Sequence, residues 1–179
     1  MVGDNPFFEE VWQTQYGVQP FDRIEFEHYK PAFECGMSLH NEEITAIVEN
    51  KQEPNFENTI LAFDNSGQML TRVSTVFELL SAADTNEQMQ ALSSEIMPQL
   101  ASHSDAILMN DALFEKIKSV YDRRFSLELD DEQRRLTEKI YSRFERSGAL
   151  LSEQDKSRLK QINEQLTSLG VKFGQNVLA

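Results

Sequence analysis

The stretch NFENTILAFDNSGQMLTRVSTVFELL, residues 55–80, decides the fold class. Among its apolar residues, Phe56, Ile60, Phe63, Leu70, Val73, Phe77 and Leu80 form one series, with Gly67 in the one gap. Each step is three or four residues, the repeat that lines up one face of an α-helix. Pro54 ends whatever precedes it, and Asn55 can cap the first turn. The spacing predicts one long helix with one apolar seam. A glycine in mid-helix costs about 1 kcal/mol against alanine, so Gly67 implies the close approach of a neighbouring helix.

The same period runs outward in both directions. Upstream, Phe33, Met37, His40, Ile44, Ile47 and Val48 predict a helix from Glu25 to Asn50. Pro31 falls in its first turns or marks a break after them. Downstream, Thr85 and Gln88 read as a capping box before Met89, Leu92, Ile96 and Leu100. Pro98 should kink or end that helix near Met97. Asn110 caps a helix through Leu113, Ile117, Val120 and Tyr121. Asp130 with Gln133 opens another through Leu136, Ile140 and Phe144, closed by Gly148. Ser152 with Asp155 opens the last, through Leu159, Ile162, Leu166, Leu169 and Phe173; with the arm, this helix is the candidate for an apolar surface that a further body would cover if the chain is a fragment. Residues 1–24 are irregular, punctuated by Asn5-Pro6, Gly17 and Pro20. Their Phe7, Phe8, Val11, Trp12, Tyr16 and Phe21 predict an extended strap lying across the helices. No segment alternates with period two, and the helix spacings do not repeat at a fixed interval. The architecture is all-α: an arm at 1–24, then a domain at 25–179 of about six mostly antiparallel helices.

Charge narrows the partners. Against 17 Lys and Arg stand 30 Asp and Glu, a net charge of −13. A phosphate backbone needs a basic footprint, so nucleic acid is excluded as a partner. The same sign opposes docking on an anionic membrane. No uninterrupted apolar run exceeds four residues, as at 60–63 and 106–109, so nothing spans a bilayer. The start, Met1-Val2-Gly3-Asp4-Asn5, lacks the basic and apolar regions of a signal peptide. The single Cys35 makes no internal disulfide, and a cytoplasmic location is expected, with an extracytoplasmic one as the alternative.

The search for chemistry is spare. There are three histidines, His28, His40 and His103, none four residues from another, so the zinc-peptidase motif His-Glu-x-x-His is absent. His40 with Glu43, one turn apart, is half a metal site at most, or a boundary histidine beside a solvated acid. Glu25, Glu27 and His28 could be an acid–base group but read better as a helix start. Cys35 is a nucleophile only if a histidine reaches it; on an apolar helix face it reads as packing. His103 with Asp105 reads as a cap or as solvated surface. No Gly-x-Ser-x-Gly elbow and no phosphate-binding loop occur. Gly170-x-x-x-Gly174 reads as close packing or loosening at the end of the last helix. Read this way, catalytic, cofactor-binding and metal roles fall on no residue of the chain.

Particular strings add a resemblance. Pro20-Phe21-Asp22-Arg23-Ile24 and Glu27-His28-Tyr29-Lys30-Pro31-Ala32-Phe33-Glu34 resemble the opening of the thimet-oligopeptidase family of zinc peptidases. So do Phe56-Glu57-Asn58-Thr59-Ile60, Ser66-Gly67, Leu70-Thr71-Arg72-Val73, and the closing segment from Leu159-Lys160-Gln161-Ile162-Asn163 to Phe173-Gly174-Gln175-Asn176. Asn5-Pro6-Phe7-Phe8 and Tyr16-Gly17-Val18-Gln19-Pro20-Phe21 are similar to the start of its bacterial peptidyl-dipeptidase subgroup. The resemblance implies an almost wholly helical fold and, for the parent protein, zinc-dependent release of C-terminal dipeptides from short unstructured peptides. It implies that this chain is the N-terminal quarter, forming a wall of the substrate channel, and that the zinc and catalytic residues lie in a C-terminal catalytic domain absent here. The fragment itself is then expected to be non-catalytic and to bind no zinc. The competing expectation is a stand-alone helical module that binds a protein or peptide in an apolar groove.

Overall fold

A computed structural model describes residues 5–9 and 11–178, so the reading of Met1 to Asp4 lies outside the described residues. The chain is all-α. Six helices longer than ten residues are found among the described residues: α1 (Phe26–Glu49), α3 (Gln68–Ala83), α4 (Glu87–Leu108), α5 (Asp111–Asp122), α6 (Asp131–Arg146) and α7 (Glu153–Leu178). Between α1 and α3 lies a π-helical turn, Phe56–Leu61, that runs into the short α2, Ala62–Asp64.

The seam that decides the class is helical, but it is not one helix. Its chain breaks at Asn65-Ser66-Gly67, where Gly67 has φ +70° and starts α3 in a left-handed conformation. The break sends the two halves of the seam into different cores. Phe56, Ile60 and Phe63 join Ile44 and Ile47 of α1, Ile107 and Leu108 of α4, and the inner faces of α5 and α6. Leu70, Val73, Val76 and Phe77 join Tyr29, Ala32 and Phe33 of α1 and Met89, Leu92 and Ile96 of α4. Ring contacts knit each cluster, Phe63 to Phe144 at 5.2 Å in the first and Phe33 to Phe77 at 5.5 Å in the second. Burial without a hydrogen-bond partner pushes the Tyr29 phenol up to about 12. The close helix approach predicted for Gly67 occurs at Gly36 instead: a Cβ there would lie 3.0 Å from the Leu70 backbone, which lets α1 and α3 touch.

Local signals succeed where a side chain meets a backbone group. Asn55, Asn110 and Asp130 accept the expected first-turn amides. Gly148 has φ +95° just beyond α6. Ser152 Oγ accepts from the Asp155 amide at 3.2 Å. The cap of α4 is Asn86, which accepts from Met89, and not Thr85. Pro98 neither ends nor divides α4, which continues to Leu108, and α1 is continuous through Pro31. Burial on both sides of each proline holds the helix against the lost amide.

The arm is a strap for half its length. Phe7 is buried against Tyr29 at 5.4 Å, the Asn5 amide donates to the His28 carbonyl at 2.8 Å, and Arg72 lies over the Trp12 ring. Val11, Tyr16 and Phe21 stay exposed.

The last helix carries the exposed apolar surface for which it was a candidate. Its inward face is largely polar: Asn163 donates to Asp105, and Gln175 donates to the Gln90 carbonyl and to Ser94. Lys156, buried, pairs with Asp111 and Glu153. Leu159 of its stripe is half-buried, whereas Leu166, Leu169 and Phe173, with Val177 beyond them, are each at least 60% exposed. Gly170 and Gly174 face open space, so they mark no close packing.

Gly67→Ala places a side chain in the left-handed region and a Cβ 2.9 Å from the His40 ring. It should destabilise the chain by about 1–2 kcal/mol in urea unfolding, whereas a mid-helix glycine would make the same change stabilising.

Candidate functional site

Three segments pass between the two cores, and each carries a polar group at the crossing. α1 crosses at His40, between Phe33 and Ile44. The break crosses at Ser66 and Gly67, between Phe63 and Leu70. α4 crosses at His103, between Ile96 and Ile107. These groups are joined in one polar waist. His103 Nε2 lies 3.0 Å from His40 Nδ1, His40 Nε2 lies 3.2 Å from Ser66 Oγ, and Ser66 Oγ donates to the Phe63 carbonyl at 2.7 Å. One turn further along α1, Glu43 Oε2 accepts the Gly67 amide at 2.7 Å.

The donors fix the tautomers. The Ser66 hydroxyl proton is committed to a carbonyl, so its oxygen accepts from His40 Nε2–H. His40 Nδ1 then carries the lone pair and accepts from His103 Nε2–H. The row requires the lone pair on His40 Nδ1, so it holds while His40 is neutral and fails when both rings carry a proton. Both are half-buried, and burial is the largest cause lowering each from the usual histidine value. For His40, Glu43 pulls upward and Arg143 pushes further down; for His103 the His40 charge adds to the lowering.

A cleft of about 700 Å³ opens onto this waist, lined by His40, Ser66 and His103 with Ser74, Thr75 and Glu78 of α3, Arg143 of α6 and Thr167 of α7. Ser66, His40 and His103 stand in the order of a nucleophile, a base and an orienting group. Two contacts argue against that chemistry. The Ser66 proton points to the Phe63 carbonyl and away from the base, and the adjacent Gly67 amide, the natural oxyanion donor, is already held by a carboxylate.

The other candidates disperse. His28 Nδ1 accepts the Glu25 amide at 3.0 Å, a helix-start contact. Glu43 faces Gly67 and joins no metal set with His40. Cys35 is half-buried on α1 and not wholly within the core. His103 is mid-helix, neither a cap nor solvated, and its neighbour Asp105 turns to α7 and accepts from Asn163 at 3.0 Å. Among the described residues, no group of three or more His, Cys, Asp or Glu could hold a metal ion. Among them, too, no helix is long and apolar enough to cross a membrane. The His40–His103 pair was not legible: the partners are 63 residues apart and neither belongs to a motif.

No family model matches the chain. Curated relatives do. Dipeptidyl carboxypeptidase of Escherichia coli is 42% identical over 179 residues, the whole of this chain and 26% of the relative. The likeness has no gap in coverage. Dipeptidyl carboxypeptidase of Salmonella typhimurium is 42% identical over 178 residues, again 26% of the relative. More distant is oligopeptidase A of Escherichia coli, 21% identical over 92% of this chain and 24% of its own length. The resemblance read from the sequence strings therefore holds along the whole chain, and the chain spans about a quarter of the length of the relatives it matches.

Asp105 is buried and takes both oxygens to one amide. Asn163→Leu should cost about 1–3 kcal/mol by stranding that carboxylate, and adding Asp105→Leu should recover most of the loss. Equal destabilisation in the single and double variants would show that the pair carries no such penalty.

Proposed function

We propose that this chain is the N-terminal, channel-wall domain of a zinc-dependent peptidyl-dipeptidase, an enzyme that removes C-terminal dipeptides from short unstructured peptides. The 179 residues alone are non-catalytic on this reading. What carries it is the 42% identity to dipeptidyl carboxypeptidase from end to end of this chain, over only 26% of the relative. A quarter of an enzyme is a wall or a lobe of it.

The outward stripe of α7 supports the same reading. A helix that turns Asn163 and Gln175 inward and Leu166, Leu169, Phe173 and Val177 outward is placed for a further body on its far side. That body is the remainder of the parent protein, which would also hold the zinc, since the described residues offer no ligand set for it. The net charge of −13 and the absence of a basic footprint suit a peptide substrate and not a nucleic acid. A cytoplasmic parent is part of this proposal, in keeping with the lone Cys35, with an extracytoplasmic one as the alternative. A wall works by geometry: a narrow cleft admits extended chains and rejects folded ones before any bond is broken.

Two measurements test this. Incubated with a blocked tripeptide and added zinc, the 179-residue chain should release no C-terminal dipeptide, while the native chain continued past Ala179 should release it. Turnover that follows the 179-residue chain through purification would contradict the reading. Separately, Leu169→Lys with Phe173→Lys should cut binding of an apolar dye severalfold and leave the melting temperature within about 2 °C, as for surface changes of under about 0.5 kcal/mol. A large fall in melting temperature would show that the stripe belongs to this domain's own core.

A further inference from the structure

We propose that His40 and His103 form a proton-released clasp: neutral, they hold α1, α4 and the Ser66–Gly67 break together across the waist between the two cores, and protonated, they part. The clasp follows from hydrogen-bond direction. With Ser66 fixed as an acceptor, the row runs His103 Nε2–H to His40 Nδ1, then His40 Nε2–H to Ser66 Oγ. A first proton can sit on His103 Nδ1 with the row intact, but it leaves a cation half out of water beside the His40 ring. A second proton puts N–H against N–H across 3.0 Å and sets two cations side by side, so the contact opens.

The position gives the clasp its reach. The two clusters share α1 and α4 and are otherwise built from different elements: α2, α5 and α6 on one side, the arm and α3 on the other. His40 and His103 lie where those two shared helices pass from one cluster to the next. Opening them loosens the joint and reshapes the floor of the cleft, not the interior of either core. The other ionisable groups around the cleft are Glu43 on α1, Asp64 at the end of α2, Glu78 on α3 and Arg143 on α6; α7 lines it with Thr167. Glu43 favours the charged ring and Arg143 opposes it, and the burial of both rings decides the sign.

Because both folded values are lowered, the contribution is fully present above the unfolded histidine value near 6.5. It is lost as pH falls from there through the folded values. In the 179-residue chain, NMR titration of the ring protons should place both midpoints below about 6.5, and His40→Gln should raise the His103 midpoint. Amide exchange in α4 around residues 100–106, corrected for intrinsic rate, should quicken about tenfold or more between pH 7.5 and 5.0. The double variant His40→Gln, His103→Gln should lose most of that acceleration. Midpoints at or above 6.5, measured on the unaltered chain, would overturn the clasp even if the variants failed to fold. An equal acceleration in the double variant would overturn it as well.

Discussion

Two apolar clusters meet at a joint, and three chain crossings at that joint are polar. This is the constraint on which the rest of the molecule depends. Helices α1 and α4 are long enough to serve both clusters, and each places a histidine at the crossing. The third crossing is a break in the chain, closed by Ser66 and the left-handed Gly67. The break redirects the chain between Phe63 and Leu70, and the two halves of the seam enter different clusters. The break lets one amphipathic sequence supply both, and His40 and Glu43, one turn apart on α1, hold it in place through Ser66 and Gly67.

Beyond the joint the fold follows from burial and capping. Each cluster fills with aromatic and branched side chains, and asparagine or aspartate meets the first-turn amides of the helices around them. The outlying helix α7 is held differently, by Asn163 to Asp105, by Gln175 to α4, and by Lys156 to Asp111. A polar face turned inward and an apolar stripe turned outward leave that stripe uncovered among the described residues.

The sequence carried the class and most helix ends, because both rest on short-range signals. Periodicity at three and four marked the helices, and Asn110, Asp130, Ser152 and Gly148 marked their limits. The failures are also physical. Periodicity cannot tell a continuous helix from two helices that keep phase across a three-residue break, so Gly67 was read as mid-helix. A proline rule applies to an isolated helix, and Pro98 sits in one braced from both sides by Leu92, Ile96 and Ile107. The apolar stripe of α7 was legible as a candidate exposed surface, but its polar inward face was not, because Asn163 and Gln175 find their partners on a distant stretch of chain. The waist was invisible because a hydrogen bond between His40 and His103 leaves no mark on local sequence. The family strings, by contrast, were legible, and the relatives match from one end of the chain to the other.

On the proposed function, the chain is one part of a larger peptidase. The native coding sequence downstream of the codon for Ala179 tests this most directly. It should continue in frame and reach a His-Glu-x-x-His set within a protein about four times this length, given the 26% coverage of the relatives. A stop codon close to Ala179 would contradict it, and the outward stripe of α7 would then have to be explained by a separate partner.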